Sequence, residues 1–399
     1  MLVCLCLRKD APRLIAQGWG KSNRVIWGVL GRAAHRSSTL IGNALDYAVQ
    51  KAQDGQTGGI PIGPDTSLLL AEIVLSAIDV AISKPPIQDG FRYVDDYELG
   101  FNNFADAERG LAILEAALNR FDLQLNQGKT AIIQLPSPVD TWATELRIMK
   151  FDKHPSTQHY QLLHFLNRCF ELANLHKTEP VLRYGISTLG SVIVDKSNWP
   201  MYQDLLLQCA SIESGTLKSV FDQLLFYKQR SYKLDTVKLG KVLNQIMLAH
   251  ASLGHTSEVA WAIWGCLCFQ IGISNESISE IVEMEDSVIA LLSMDAKKKG
   301  LISRRVPFTA WQGLVNGSEL YGENWLIAYE AANKGWLSHP GGNNYISTDA
   351  GFSFLHNAKV TFYDEHAKHP IRLRRAKRTE PLPQPAGGGT VAELMSEYT

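Results

Sequence analysis

Three things are scarce in this sequence: long apolar runs, an excess of either charge, and cysteine. No stretch approaches the ~20 apolar residues that a membrane-spanning helix needs. The opening MLVCLCLRKD sets its apolar run before its basic residues, the reverse of an export signal. Lys and Arg number 39 against 40 Asp and Glu, so the chain as a whole is not basic, although a local positive cleft stays open to it. Six cysteines in 399 residues, four of them in the close pairs Cys4/Cys6 and Cys266/Cys268, are too few and too clustered for an extracellular disulfide framework. A cytoplasmic protein with no membrane association is the expectation. With 45% apolar residues the chain is not intrinsically disordered, and its length fits two or three domains at ~100–200 residues each, two being the default.

Glycines interrupt any period before about residue 41, and no element is assigned there. Ile41, Ala44, Leu45 and Ala48 predict an amphipathic helix to Lys51, followed by the turn-rich QDGQTGGIPIGPDTS. Asp65 or Ser67 is placed to cap a helix through LLLAEIVLSAIDVAIS, apolar on nearly every face except at Glu72 and Asp79 and ended by Pro85 and Pro86. FRYVDDYELGF reads as a β-hairpin turning at or near Asp95–Asp96, Phe104 to Phe121 as a helix, and LQLNQGKTAIIQL as a strand. After Thr141, long Leu/Ile/Ala-rich segments predict a mostly helical domain, and EPLPQPAGGGTVAEL a flexible tail. The fold class expected is therefore α+β: residues 1–140, then a helical domain over 141–378 and a tail over 379–399.

Two adjacent carboxylates at a hairpin tip repel each other unless a cation sits beside them, so Asp95 and Asp96 point to a divalent metal. Mg²⁺ is typically held by one or two carboxylates together with substrate phosphates. Gly128-Lys129-Thr130 is not the end of a P-loop, because Leu123 stands where that motif requires glycine.

Tyr93-Val94-Asp95-Asp96, preceded by Gly59-Ile60-Pro61-Ile62-Gly63-Pro64-Asp65-Thr66-Ser67 and followed by Leu125-Asn126-Gln127-Gly128-Lys129-Thr130, resembles the palm of a reverse transcriptase, an RNA-directed DNA polymerase. The wording of GIPIGPDTSLLLAEIVLSAID, with Ile62 where glutamine is usual, is similar to the bacterial abortive-infection and defence-associated group. The resemblance implies a partial palm followed by a helical C-terminal domain, in an antiviral protein that uses Mg²⁺ or Mn²⁺, dNTPs and a nucleic-acid template and primer. It also implies a homo-oligomer or a defence-system partner. Asp95 and Asp96 would be metal ligands and, with Lys129 near the triphosphate, the catalytic residues. Gly59, Pro61, Gly63, Ser67, Tyr93 and Asn126 would contact substrate or template.

The family's fingers and its upstream catalytic aspartate motif have no counterpart here. Asp10 is the sole acidic residue before Asp46, and its flanks lack the family's aromatic and serine pattern. The expectation is an N-terminally truncated chain, weak in metal binding and inactive in synthesis alone. The alternative function is that of a catalytically inactive remnant whose helical domain binds protein or RNA. The runs KKKGLISRR (297–305) and IRLRRAKR (371–378) are its candidate phosphate contacts. His366, His369 and Glu365 read as solvated surface, and Cys266, Cys268, Trp325, Tyr329 and Trp336 as core packing.

Overall fold

The computed structural model describes residues 2–5, 41–52, 55, 60, 64–121, 123–136, 142–177, 179–339 and 341–373. The chain divides into two compact units, Met1–Val139 and Asp140–Thr399. The described residues are mostly helical with one small antiparallel sheet, an α+β composition.

In the first unit, strands β1 (Leu2–Leu5), β2 (Asp89–Tyr93), β3 (Asp96–Gly100) and β4 (Thr130–Ile133) form the sheet in the order β2-β3-β1-β4, every pair antiparallel. Helices α1 (Ile41–Ala52), α2 (Asp65–Ile82) and α3 (Phe104–Asn119) accompany it. Strand side chains alternate between faces, and residues in register share one. Tyr97 and Leu99 of β3 are buried with Leu70, Val74 and Ile78 of α2 and Leu114 and Leu118 of α3, and Ile132 of β4 packs on the same core. Asp96 and Glu98 therefore stand on the opposite face, where Phe91 and Tyr93 are exposed.

Several elements differ from expectation. The central strand β1 has no counterpart in the elements expected from the sequence. Helix α2 is not buried all round: Ser67, Leu70, Val74, Leu75, Ile78 and Ile82 face the core, while Leu68, Leu69 and Val80 are exposed. Neither Asp65 nor Ser67 caps it; Pro64 holds the N-cap position without a side-chain bond, and both residues lie in the first turn. Helix α1 turns Gly42, Leu45, Asp46 and Val49 inward, at spacings of 3, 4 and 7, so Ile41 is left exposed. The last strand is confined to Thr130–Ile133, because Asn126–Lys129 form a turn.

The second unit is built from helices α4 (Ala143–Ile148), α5 (Pro155–Leu175), α6 (Val181–Leu189), α7 (Trp199–Ile212), α8 (Leu217–Gln229), α9 (Thr236–Ala251), α10 (Thr256–Phe269), α11 (Asn275–Ile281) and α12 (Ser287–Lys298). Shorter helices α13 (Thr309–Gln312), α14 (Trp325–Asn333), α15 (Tyr345–Thr348) and α16 (Ala350–Asn357) follow. Asp235, Ser274, Asp286 and Asp349 cap α9, α11, α12 and α16 by accepting bonds from backbone N–H groups that would otherwise lack partners. At the centre, Gly265 of α10 lies where an added Cβ would come within 2.4 Å of the Phe221 ring, so the close approach of α8 and α10 requires glycine. Among the described residues no helix is long and apolar enough to cross a membrane.

Candidate functional site

Tyr93 pairs with Asp96, so the hairpin loop consists of two residues, Val94 and Asp95. Such loops need a positive φ in the first position or in both, a conformation glycine adopts freely and a β-branched residue adopts at a cost. Here Val94 has φ 56°. The residue ahead of the paired carboxylates is thus held in the left-handed region, the kind of local strain that concentrates at functional sites.

Leu5 of β1 pairs with Tyr97 on one side and Thr130 on the other. The hairpin tip and the Lys129–Thr130 segment consequently lie at the same end of the sheet, two strand spacings or ~10 Å apart. Asn126 shapes the turn that carries Lys129: its carbonyl accepts from Lys129 N at 3.0 Å and Thr130 N at 3.0 Å, and its side-chain oxygen from Gly128 N at 3.1 Å. The Asn126 Nδ2 donor is buried without a partner. Ser67 is buried in the first turn of α2, five residues before Glu72, whose carboxylate reaches the hairpin through Arg92. Gly59, Pro61, Gly63 and Asp10 lie outside the described residues.

Asp96 Oδ1 is a buried carboxylate oxygen with no hydrogen-bond partner. Such an atom is costly unless a cation or donor completes it, and hard oxygen is the donor Mg²⁺ and Mn²⁺ take. Among the described residues no group of three or more His, Cys, Asp or Glu side chains is arranged to hold a metal. Two adjacent carboxylates suit an ion that takes its remaining ligands from water or phosphate oxygens. The pair does not fit a two-metal centre that draws a further carboxylate from the neighbouring strand, since β1 offers Leu2, Val3, Cys4 and Leu5.

Sequence reasoning missed Arg92, on the core face of β2. Its guanidinium bonds both Glu72 and Asp79 at 2.9–3.1 Å and also donates to the Val94 carbonyl. Those bonds, Glu72 first and Asp79 second, hold the guanidinium proton more firmly than usual. Tyr97 donates to Asp79 Oδ1 at 3.0 Å, and burial, reinforced by that carboxylate, pushes its phenol well up, so it remains a donor.

One reading of the helical unit is corrected. His369 is buried: Trp264 Nε1 donates to its Nδ1 at 3.2 Å, which leaves Nε2–H to donate to Asp222 at 3.0 Å. The lysines of the 297–305 run have partners inside the protein, Lys297 with the Val306 carbonyl, Lys298 with Glu365 and Lys299 with Asp295. Those bonds compete with any role as phosphate contacts, while Arg304 and Arg305 are exposed. The segment after Leu373, with most of the second basic run, lies outside the described residues. Cys266 and Tyr329 are in the core, whereas Trp325 is 36% exposed.

Comparison with protein-family models and with curated proteins finds no match, so the reading of this hairpin rests on its own geometry and on the three motifs.

Proposed function

We propose that the first unit is a partial palm of the reverse-transcriptase type, in which Asp95 and Asp96 hold Mg²⁺ or Mn²⁺ together with the phosphates of a dNTP. The observation that carries the reading is the hairpin tip, where a strained valine presents two adjacent carboxylates at the sheet end that also carries Lys129. When bound, the ion would offset charge on the triphosphate. The Lys129 amine supplies a mobile positive charge for a leaving pyrophosphate. Tyr93, 60% exposed and in register with Asp96, offers an aromatic face to a sugar or base of a primer and template. A place in bacterial antiviral defence, and a homo-oligomeric or defence-system partner, follow from the sequence resemblance alone.

The absence of a carboxylate from the described strand β1 favours a second element of the reading: the chain binds metal and nucleotide but synthesises poorly. The helical unit then supplies the main binding function, toward protein or RNA.

Binding of a fluorescent dNTP to the full chain in Mg²⁺ tests the proposal. Lys129→Ala is expected to weaken it about tenfold, the loss of one charge-assisted phosphate contact, and chelation of Mg²⁺ to remove it. Binding indifferent to both Lys129 and the metal would contradict the assignment.

A further inference from the structure

We propose that Arg92 is a positioning residue for the Asp95–Asp96 tip, clamped by Glu72 and Asp79 of α2 and gripping the strained peptide that leads into Asp95. The proposal rests on the reading of that tip as a metal and nucleotide site, and it adds what sets the tip's direction.

The geometry uses every donor that the side chain has. Arg92 Nε bonds Asp79 at 3.1 Å, Nη2 bonds Asp79 Oδ2 at 2.9 Å and Glu72 Oε2 at 3.0 Å, and Nη1 bonds Glu72 Oε1 at 3.1 Å. The remaining Nη1–H goes to the Val94 carbonyl. An arginine carries five N–H groups in a rigid fork, so two carboxylates, each bound at two points, leave the plane no freedom to turn, and the fifth donor is aimed. Arg92 is mostly buried, its side chain 11% exposed, which strengthens these bonds relative to a surface pair.

The aimed donor meets the residue that needs it. Val94 sits at φ 56°, a left-handed conformation that a β-branched residue adopts only under strain. The Val94 carbonyl and the Asp95 N–H belong to one planar peptide, so holding the carbonyl fixes the plane from which the Asp95 side chain departs. Glu72 and Asp79 are seven residues apart, two helical turns, and so project from one face of α2. Tyr97, which donates to Asp79, ties the same clamp to β3. Lysine cannot replace the fork, because it brings a point charge with no planar pair of donors.

The test is a double-mutant cycle read by Mn²⁺ binding to the full chain, with the free ion followed by electron paramagnetic resonance. Asp95→Asn comes first and is expected to abolish binding at the tip. If it binds Mn²⁺ as the parent does, the metal reading itself has failed, and the clamp fails with it. With that control in place, Arg92→Lys is expected to weaken binding about tenfold, roughly 1.4 kcal/mol. In a Val94→Gly background, where positive φ carries no steric cost, the same change is expected to weaken it less than threefold. A role confined to packing would give equal losses in both backgrounds. Equal losses, or no loss from Arg92→Lys, would overturn the proposal. Should Arg92→Lys fail to fold by circular dichroism, Glu72→Gln takes its place, since that side chain is 40% exposed and its removal leaves Asp79 holding the fork. It is expected to cost about threefold in the parent chain and nothing in the Val94→Gly background, and a cost equal in both would again overturn the clamp.

Discussion

Primer extension by the full chain on RNA or DNA templates, with dNTPs and either Mg²⁺ or Mn²⁺, is expected to yield little or no product. Polymerases of the two-metal type draw carboxylates from two neighbouring strands to stabilise charge on the transferring phosphoryl group, and losing one such preorganised group costs on the order of 10²–10³ in rate. In this chain the strand beside the carboxylate hairpin contributes Leu2, Val3, Cys4 and Leu5, none of them a hard oxygen ligand. Robust incorporation that Asp95→Ala abolishes would show that another group supplies the second carboxylate, and would remove the case for a chain that binds but does not turn over.

Phe221→Ala is expected to destabilise the helical unit by about 3–5 kcal/mol, the range for truncating a buried aromatic residue in a core unable to collapse around the cavity. Phe221 is fully buried, its ring 5.7 Å from Phe269 and 6.4 Å from Trp261, and it fills the space that Gly265 leaves open. It also packs 6.2 Å from the ring of His369, whose partner Asp222 is its chain neighbour. The loss is therefore expected to loosen the 359–373 segment as well. Urea unfolding followed by tryptophan fluorescence reads the effect as a lower midpoint for the helical transition, and a shift below about 1 kcal/mol would mean that this packing is not central.

The sequence made the hairpin legible because its evidence is local. Aromatic and β-branched residues flank two carboxylates, and the pairing Tyr93 to Asp96 confirms a reversal there, one residue earlier than the Asp-Asp dipeptide itself. Strand β1 was hidden for the opposite reason: four consecutive apolar residues have no period, and only pairing with β3 and β4, about 95 and 128 residues downstream, makes them a strand. Helix α2 was half legible. Its apolar composition suggested burial all round, yet Glu72 and Asp79 stood out as the two acids in that helix's interior. Their seven-residue spacing was a readable sign of one charged stripe waiting for a cation, and Arg92 is that cation. The burial of His369 could not be read locally, since Asp222 lies 147 residues away in the chain and Trp264 lies 105 away.

The most direct test of the central claim is a crystal structure of the full chain grown with Mn²⁺ and a dNTP, with data collected at a wavelength where manganese scatters anomalously. An anomalous peak is expected within about 2.5 Å of an Asp95 or Asp96 carboxylate oxygen, shared with phosphate oxygens, and lost in Asp95→Asn. A nucleotide bound elsewhere, or a hairpin tip that holds no ion under those conditions, would contradict that claim.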